Sequence, residues 1–428
     1  MKAEKPHLEE GTRAVLVSLN TSMNEEQLKA SLDELERLLE TAGGTAVARV
    51  VQNAPSADPR TYIGSGKAEE IARFIKADGD ISLAVFDNEL TPSQIRNLED
   101  IFGVRVIDRT MLILDIFALH AVTGEGKLQV EIACLRYTAP RLTGKGTGLS
   151  RQGGTTGAIG ARGPGESKLE IDRRRMRERI SALNEQLKEL DKTRGVKRER
   201  REKSGVPTVA IAGYTNAGKS TLLNYLTNAG ILAENKLFAT LDPTTRRLSL
   251  PGGSEVLLTD TVGFIDRLPT HLVKAFKSTL DEISFSDIII NLVDASESAE
   301  ERARKSAVTE RLLDELGASG KPVITVYNKS DAAVELDFIP PSAVLISAKN
   351  GLGIDALLSE LEATVNSGTR TVRMFFPHEN ASDASELYAC SSVKSSEYND
   401  SGVYVTAICD AKTLGRFKRF CVDDAAVQ

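Results

Sequence analysis

The sequence predicts an α/β protein with more than one core, and three observations carry that expectation. Short β-branched runs alternate with amphipathic stretches over residues 13–120, a strand-like run near residue 210 enters a glycine loop followed by a helical run, and 428 residues exceed one ordinary core. About three units are expected. The apolar fraction of 41% and charged fraction of 27% exclude a mainly disordered or fibrous chain. The net charge of -6 favours solubility and gives no sign of a nucleic-acid coat over the whole molecule. Cys134, Cys390, Cys409 and Cys421 form no CxxC pair, so neither a zinc site nor a disulfide scaffold is indicated. With no signal-like N-terminus and no long apolar stretch, a cytoplasmic location without an integral membrane segment is expected.

The first β-branched runs are Ala14 to Val17, Val47 to Val51, Leu83 to Phe86 and Val104 to Ile107. Leu28, Leu32, Leu35 and Leu39 recur at helical spacing between the first two, which gives βαβα order and a parallel sheet. Gly64-Ser65-Gly66-Lys67 reads as a strand-to-helix turn with Ser65 as the cap. Further on, Leu128, Ile132 and Leu135 keep helical spacing, whereas Gly144 to Gly165 holds nine glycines and no acidic residue. From Met176 the order Ile180, Leu183, Leu187, Leu190 is a 4-3 seam. Two antiparallel helices joined by a glycine-rich tip are expected. Residues 141–203 carry eighteen Lys or Arg against nine Asp or Glu, a net of +9 that leaves -15 for the rest. Such a basic arm on an acidic chain is the footprint of a polyanion contact, and Arg141, Lys145, Arg151 and Arg162 are its candidate phosphate-binding cations.

The most specific signal is Gly213-Tyr214-Thr215-Asn216-Ala217-Gly218-Lys219-Ser220, a GxxxxGK[ST] loop between the strand-like Pro207 to Ala212 and the helical Thr221 to Leu226. Its backbone N–H groups converge on phosphate oxygens, Lys219 neutralises the β and γ phosphates, and Ser220 offers an oxygen to magnesium. Asp260-Thr261-Val262-Gly263 follows another strand, with Asp260 placed to hold magnesium through water and the Gly263 N–H to reach the γ phosphate. Asn328-Lys329-Ser330-Asp331 ends a third strand. Asp331 can accept from the ring N–H and exocyclic amine of guanine, which adenine does not present together, so GTP is the expected substrate and GDP the product. Ser347-Ala348-Lys349 fits a further base-edge loop. Between the first two motifs lies Phe238-Ala239-Thr240-Leu241-Asp242, then Pro243-Thr244-Thr245, where a threonine hydroxyl would sense the γ phosphate; Thr240, Thr244 and Thr245 all qualify. Many such enzymes orient water with glutamine just after DxxG. Phe264 stands there, which predicts slow hydrolysis by the protein alone.

These boxes, with Asp108 to Ala118, Glu125 to Leu142 and Ala161 to Arg175, resemble the HflX family of ribosome-associated, translation-factor-class GTPases over nearly the whole chain. The resemblance implies a P-loop GTPase domain, mostly parallel sheet with helices on both faces, at 205–368. An α/β N-terminal domain at 1–122 and an antiparallel helical hairpin at 123–204 precede it, and a small α+β domain at 369–428 follows. It assigns magnesium to Ser220 and Thr240, places nucleotide contacts on Gly213 to Thr221, Phe238 to Asp242, Asp260 to Gly263, Asn328 to Asp331 and Ser347 to Lys349, and names Lys219, Thr240 and Gly263 as the catalytic set. The implied activity is that of a monomeric GTPase which binds the large ribosomal subunit and its RNA through the N-terminal domain and residues 141–203, and splits or rescues stalled ribosomes. A ribosome-assembly GTPase of Era or Obg type and a signalling switch with a protein effector are the rival functions. Asn216 matches an asparagine of potassium-stimulated GTPases, which adds K+ to the expected ions.

Overall fold

In the computed structural model the described residues are 8–142, 164–227, 237–267, 269, 272, 276–335, 339–367 and 369–422. The chain divides into two compact units. The first comprises Met1–Leu190 with Lys236–Asp242 and Leu268–Lys277, the second Asp191–Asn235, Pro243–Arg267 and Ser278–Gln428.

The first unit is organised on four parallel strands, β1 (Thr12–Asn20), β2 (Gly44–Asn53), β3 (Ile81–Phe86) and β4 (Arg105–Asp108), in the order β2-β1-β3-β4. Their helices are α1 (Glu25–Thr41), α2 (Ser65–Asp78) and α3 (Pro92–Phe102). Asn24 and Gln27 close a capping box on α1, as Thr91 and Gln94 do on α3, so each start is fixed by reciprocal side-chain bonds. Leu32, Leu35, Leu38 and Leu39 of α1 are buried against the sheet. The turn at Gly64 does open α2, but Gly64 occupies the cap position without a side-chain cap and its N–H donates to Gln52 Oε1 at 2.8 Å; Ser65 is already helical.

Helix α4 (Arg109–His120) is buried from Arg109 to Phe117, so it has no polar face to reveal it as a helix from periodicity. Its Arg109 pairs inside the fold with Asp87 and Glu34. Asp115 is fully buried with neither carboxylate oxygen bonded among the described residues, and burial pushes its acid up to about 7. Helix α5 (Gly124–Thr138) buries Gly126, Gln129, Val130, Ile132 and Ala133, a stripe rotated from the Leu128–Ile132–Leu135 expectation. The long α6 (Pro164–Ser204) buries Leu183, while Leu190 at the end of the predicted seam is 37% exposed. The glycine-rich tip with Lys145, Arg151 and Arg162 lies outside the described residues. Arg141 corrects the sequence reading: its guanidinium is 3.3 Å from the buried Asp108 and 4.3 Å over the Tyr137 ring, so this cation has an internal partner.

The second unit contains a six-stranded sheet in the order β10-β9-β8-β5-β7-β6. It is built from β5 (Thr208–Gly213), β6 (Thr244–Ser249), β7 (Glu255–Asp260), β8 (Ile288–Asp294), β9 (Val323–Asn328) and β10 (Val344–Leu345), all parallel except the β6–β7 pair. Helices α7 (Lys219–Thr227), α8 (Lys277–Phe285), α9 (Ala299–Glu315) and α10 (Ile354–Asn366) follow the chain through this region. Strand β8 is buried along its whole length, as expected of a parallel sheet covered on both faces. A three-stranded antiparallel sheet, β11-β13-β12, is formed by β11 (Thr369–Pro377), β12 (Ser392–Asn399) and β13 (Gly402–Asp410). Helices α11 (Ala381–Cys390) and α12 (Ala411–Phe417) accompany it. Among the described residues no helix is long and apolar enough to cross a membrane.

Candidate functional site

Parallel strands bring their carboxyl ends to one edge, where loops can converge on a ligand. In the second unit that edge gathers Gly213 ending β5, Asp260 ending β7 and Asn328 ending β9. The glycine loop therefore meets the two later motifs without any long-range rearrangement. Gly218 has a φ of 95°, and a Cβ there would stand 2.3 Å from the Asn328 amide nitrogen, so glycine is required by both backbone and space. That amide donates to the Ala217 carbonyl at 2.8 Å while its oxygen accepts from the Ala348 N–H at 2.9 Å. One asparagine thus ties the phosphate loop to the Ser347-Ala348-Lys349 loop.

Lys219 is buried and donates to the carbonyls of Gly213 and Tyr214 at 3.2 and 2.8 Å. Burial pulls its ammonium down to about 8, with Asp260 acting in the other direction. Ser220 donates to Asp260 Oδ2 at 2.7 Å, which puts two oxygens suited to a hard cation side by side. Thr261 is tied to the Ile211 carbonyl and Val262 is buried. Gly263 packs so closely that a Cβ would be 2.8 Å from Thr215 Cγ2 and 3.0 Å from Lys219 Nζ. The Thr215 hydroxyl is buried without a bonding partner among the described residues. Asn216 and Lys329 take left-handed backbone, with φ of 63° and 65°, conformations that cost free energy and cluster at ligand sites.

At the base end, the Ser347 hydroxyl donates to Asp331 at 2.6 Å and holds that carboxyl below its usual range. Lys329 pairs with Asp294 at 2.5 Å, and Ser330 receives support through its N–H to the Ile346 carbonyl. Asp331 and Lys349 are exposed. Phe264 is buried and its backbone ladders with the phosphate loop, since Thr215 N–H donates to the Phe264 carbonyl at 2.7 Å. Its ring is part of the packing and has no polar atom to offer water.

The Phe238-to-Asp242 segment clusters with the first unit, and Asp242 uses both carboxylate oxygens on Val122 and Thr123. Ala239 and Thr240 lie between its anchored residues. Thr244 and Thr245 belong to β6, where the Thr245 and Thr259 hydroxyls bond at 3.0 Å. Thr221 continues α7.

Comparison with known proteins meets this geometry. Residues 29–118 match the family described as GTP-binding GTPase N-terminal, 120–201 its middle region, and 208–329 the 50S ribosome-binding GTPase family. The GTPase HflX of Lacrimispora saccharolytica is 49% identical over 92% of this chain and 93% of its own. The chain belongs to the HflX GTPases. A second HflX relative, from Caldanaerobacter subterraneus, is 45% identical over 96% of this chain and 94% of its own. The crystal structure of SsGBP with GDP shares 25% identity over 83% of this chain and 99% of that one, with a TM-score of 0.45. As an HflX GTPase, the protein hydrolyses GTP in a P-loop domain.

Proposed function

We propose that this GTPase binds the large ribosomal subunit and its RNA, uses its GTP cycle to split or rescue stalled ribosomes, and works as a monomer. The observation that carries the reading is the 50S ribosome-binding description matched by residues 208–329, alongside the +9 charge of residues 141–203. Guanine is selected by Asp331, with Asn328, Ser347 and Ala348 holding the base-edge loops together. Magnesium would be held by Ser220 and Thr240, with Asp260 acting through water; the adjacent Ser220 and Asp260 oxygens fit a hard cation. Bound there, the ion would neutralise charge on the β and γ phosphates. Lys219 would supply a further positive charge, and the Gly263 N–H would donate to the transferred group. Asn216 is the residue through which K+ would stimulate turnover, which a comparison of potassium and sodium salts reads directly.

The test is sedimentation of intact ribosomes with the protein and a non-hydrolysable GTP analogue. Loss of intact particles in favour of free subunits is expected. Binding to large subunits without separation would transfer support to an assembly role, and no binding would overturn the proposal.

A further inference from the structure

We infer that Tyr214 is a positioning residue for GTP hydrolysis, whose hydroxyl holds the segment after Gly263 against the phosphate loop and so sets where the Gly263 N–H lies. The GxxxxGK[ST] motif leaves position 214 open in residue type, yet a large side chain stands there and is only 5% exposed. Lys305 of α9 covers its ring, with Nζ 5.0 Å from the centroid. The Tyr214 hydroxyl accepts the Asp266 N–H at 2.7 Å, while its carbonyl accepts Lys219 Nζ at 2.8 Å. One residue thus touches the phosphate-binding lysine through its main chain and the segment after Gly263 through its side chain.

That hydroxyl bond continues a backbone ladder. The Gly213 carbonyl accepts the Phe264 N–H at 3.1 Å, and the Phe264 carbonyl accepts the Thr215 N–H at 2.7 Å, which makes a parallel bridge of Tyr214 with Phe264. The ladder stops at Phe264, and the tyrosine extends the attachment two residues to Asp266. There Arg304 of α9 holds the Asp266 carboxylate at 3.1 Å and pairs with Glu301 at 3.1 Å as well. Arg267 then turns the chain away with a φ of 53°, a left-handed bend that a non-glycine residue keeps only under outside constraint. Gly263 is therefore anchored from its C-terminal side, at a point where a Cβ on it would stand 3.0 Å from Lys219 Nζ. In the usual switch the γ phosphate orders this segment. Here the phosphate loop does so beforehand, which leaves less ordering for the transition state. All of these residues belong to the second unit.

The inference rests on the reading of Gly263 as a donor to the γ phosphate, so Gly263→Ala serves as the control for that reading. Single-turnover hydrolysis at saturating GTP, GDP affinity and amide hydrogen exchange over residues 262–267 are measured for the full chain carrying Tyr214→Phe or Gly263→Ala. Tyr214→Phe keeps the ring and removes the hydroxyl. It should slow hydrolysis roughly tenfold and raise exchange at the Asp266 amide by a similar factor. GDP affinity should stay within about twofold, because GDP lacks the phosphate that Gly263 would meet. Gly263→Ala, whose methyl strikes Thr215, should be slow too. Wild-type or faster hydrolysis by Tyr214→Phe beside a slow Gly263→Ala would overturn the tyrosine's role alone. A matching loss of GDP affinity in Tyr214→Phe would also overturn it, since the defect would then be one of the whole phosphate loop. Wild-type hydrolysis by Gly263→Ala would instead remove the Gly263 reading, and the inference with it.

Discussion

At the residue scale, two buried ionisable groups give opposite pH signatures. Lys219 sits at about 8 before ligand binds, and a triphosphate beside it favours the charged form. GTP binding at pH 8 should therefore take up roughly half a proton, and affinity should fall as pH rises further. Calorimetry in two buffers of different ionisation heat measures this; zero uptake would contradict it. Asp115 has its folded acid raised to about 7 from an ordinary 3.8, so the folded form holds the proton more tightly than the unfolded chain. The Asp115 contribution to the stability of the first unit is then greatest at low pH, declines as pH rises from about 4 to about 7, and levels off above. The total is at most about 4 kcal/mol. Asp115→Asn should abolish this slope and raise the denaturation midpoint at pH 8, and an unchanged profile would count against a protonated Asp115. Gly218→Ala should weaken nucleotide binding more than tenfold, because the added methyl would displace the Asn328 amide from Ala217.

The elements show what could be read before folding. Strand β5, the glycine loop and α7 were legible because phosphate chemistry fixes residue type and spacing together. The strands of the first unit were legible from β-branched runs. Helix α4 was not: buried from Arg109 to Phe117, it has apolar residues on every side and no period to detect. The capture of Asp242 by Thr123 was equally hidden, since it joins positions 119 apart and depends on a helix start available only after α5 forms. Arg141 shows the reverse error, in which a cation in a basic stretch is spent on Asp108 within the fold.

For the whole molecule, the proposed ribosomal partner sets the expectation for turnover and for binding. Turnover by the isolated protein should be slow, given the buried Phe264, and large subunits should accelerate it at least tenfold. Binding to those subunits should weaken steeply between low and physiological salt, whereas an apolar protein effector would show little salt dependence. Both are read from steady-state assays and co-sedimentation.

Guanine selection underlies all of this, and it is tested most directly by calorimetric titration of the protein and its Asp331→Asn variant with GTP, ATP and XTP. The wild type should prefer GTP to ATP by a factor on the order of 10⁴, and the variant, whose amide can donate to the xanthine carbonyl, should turn to XTP. Comparable ATP and GTP affinity in the wild type, or an unaltered preference in the variant, would contradict the account.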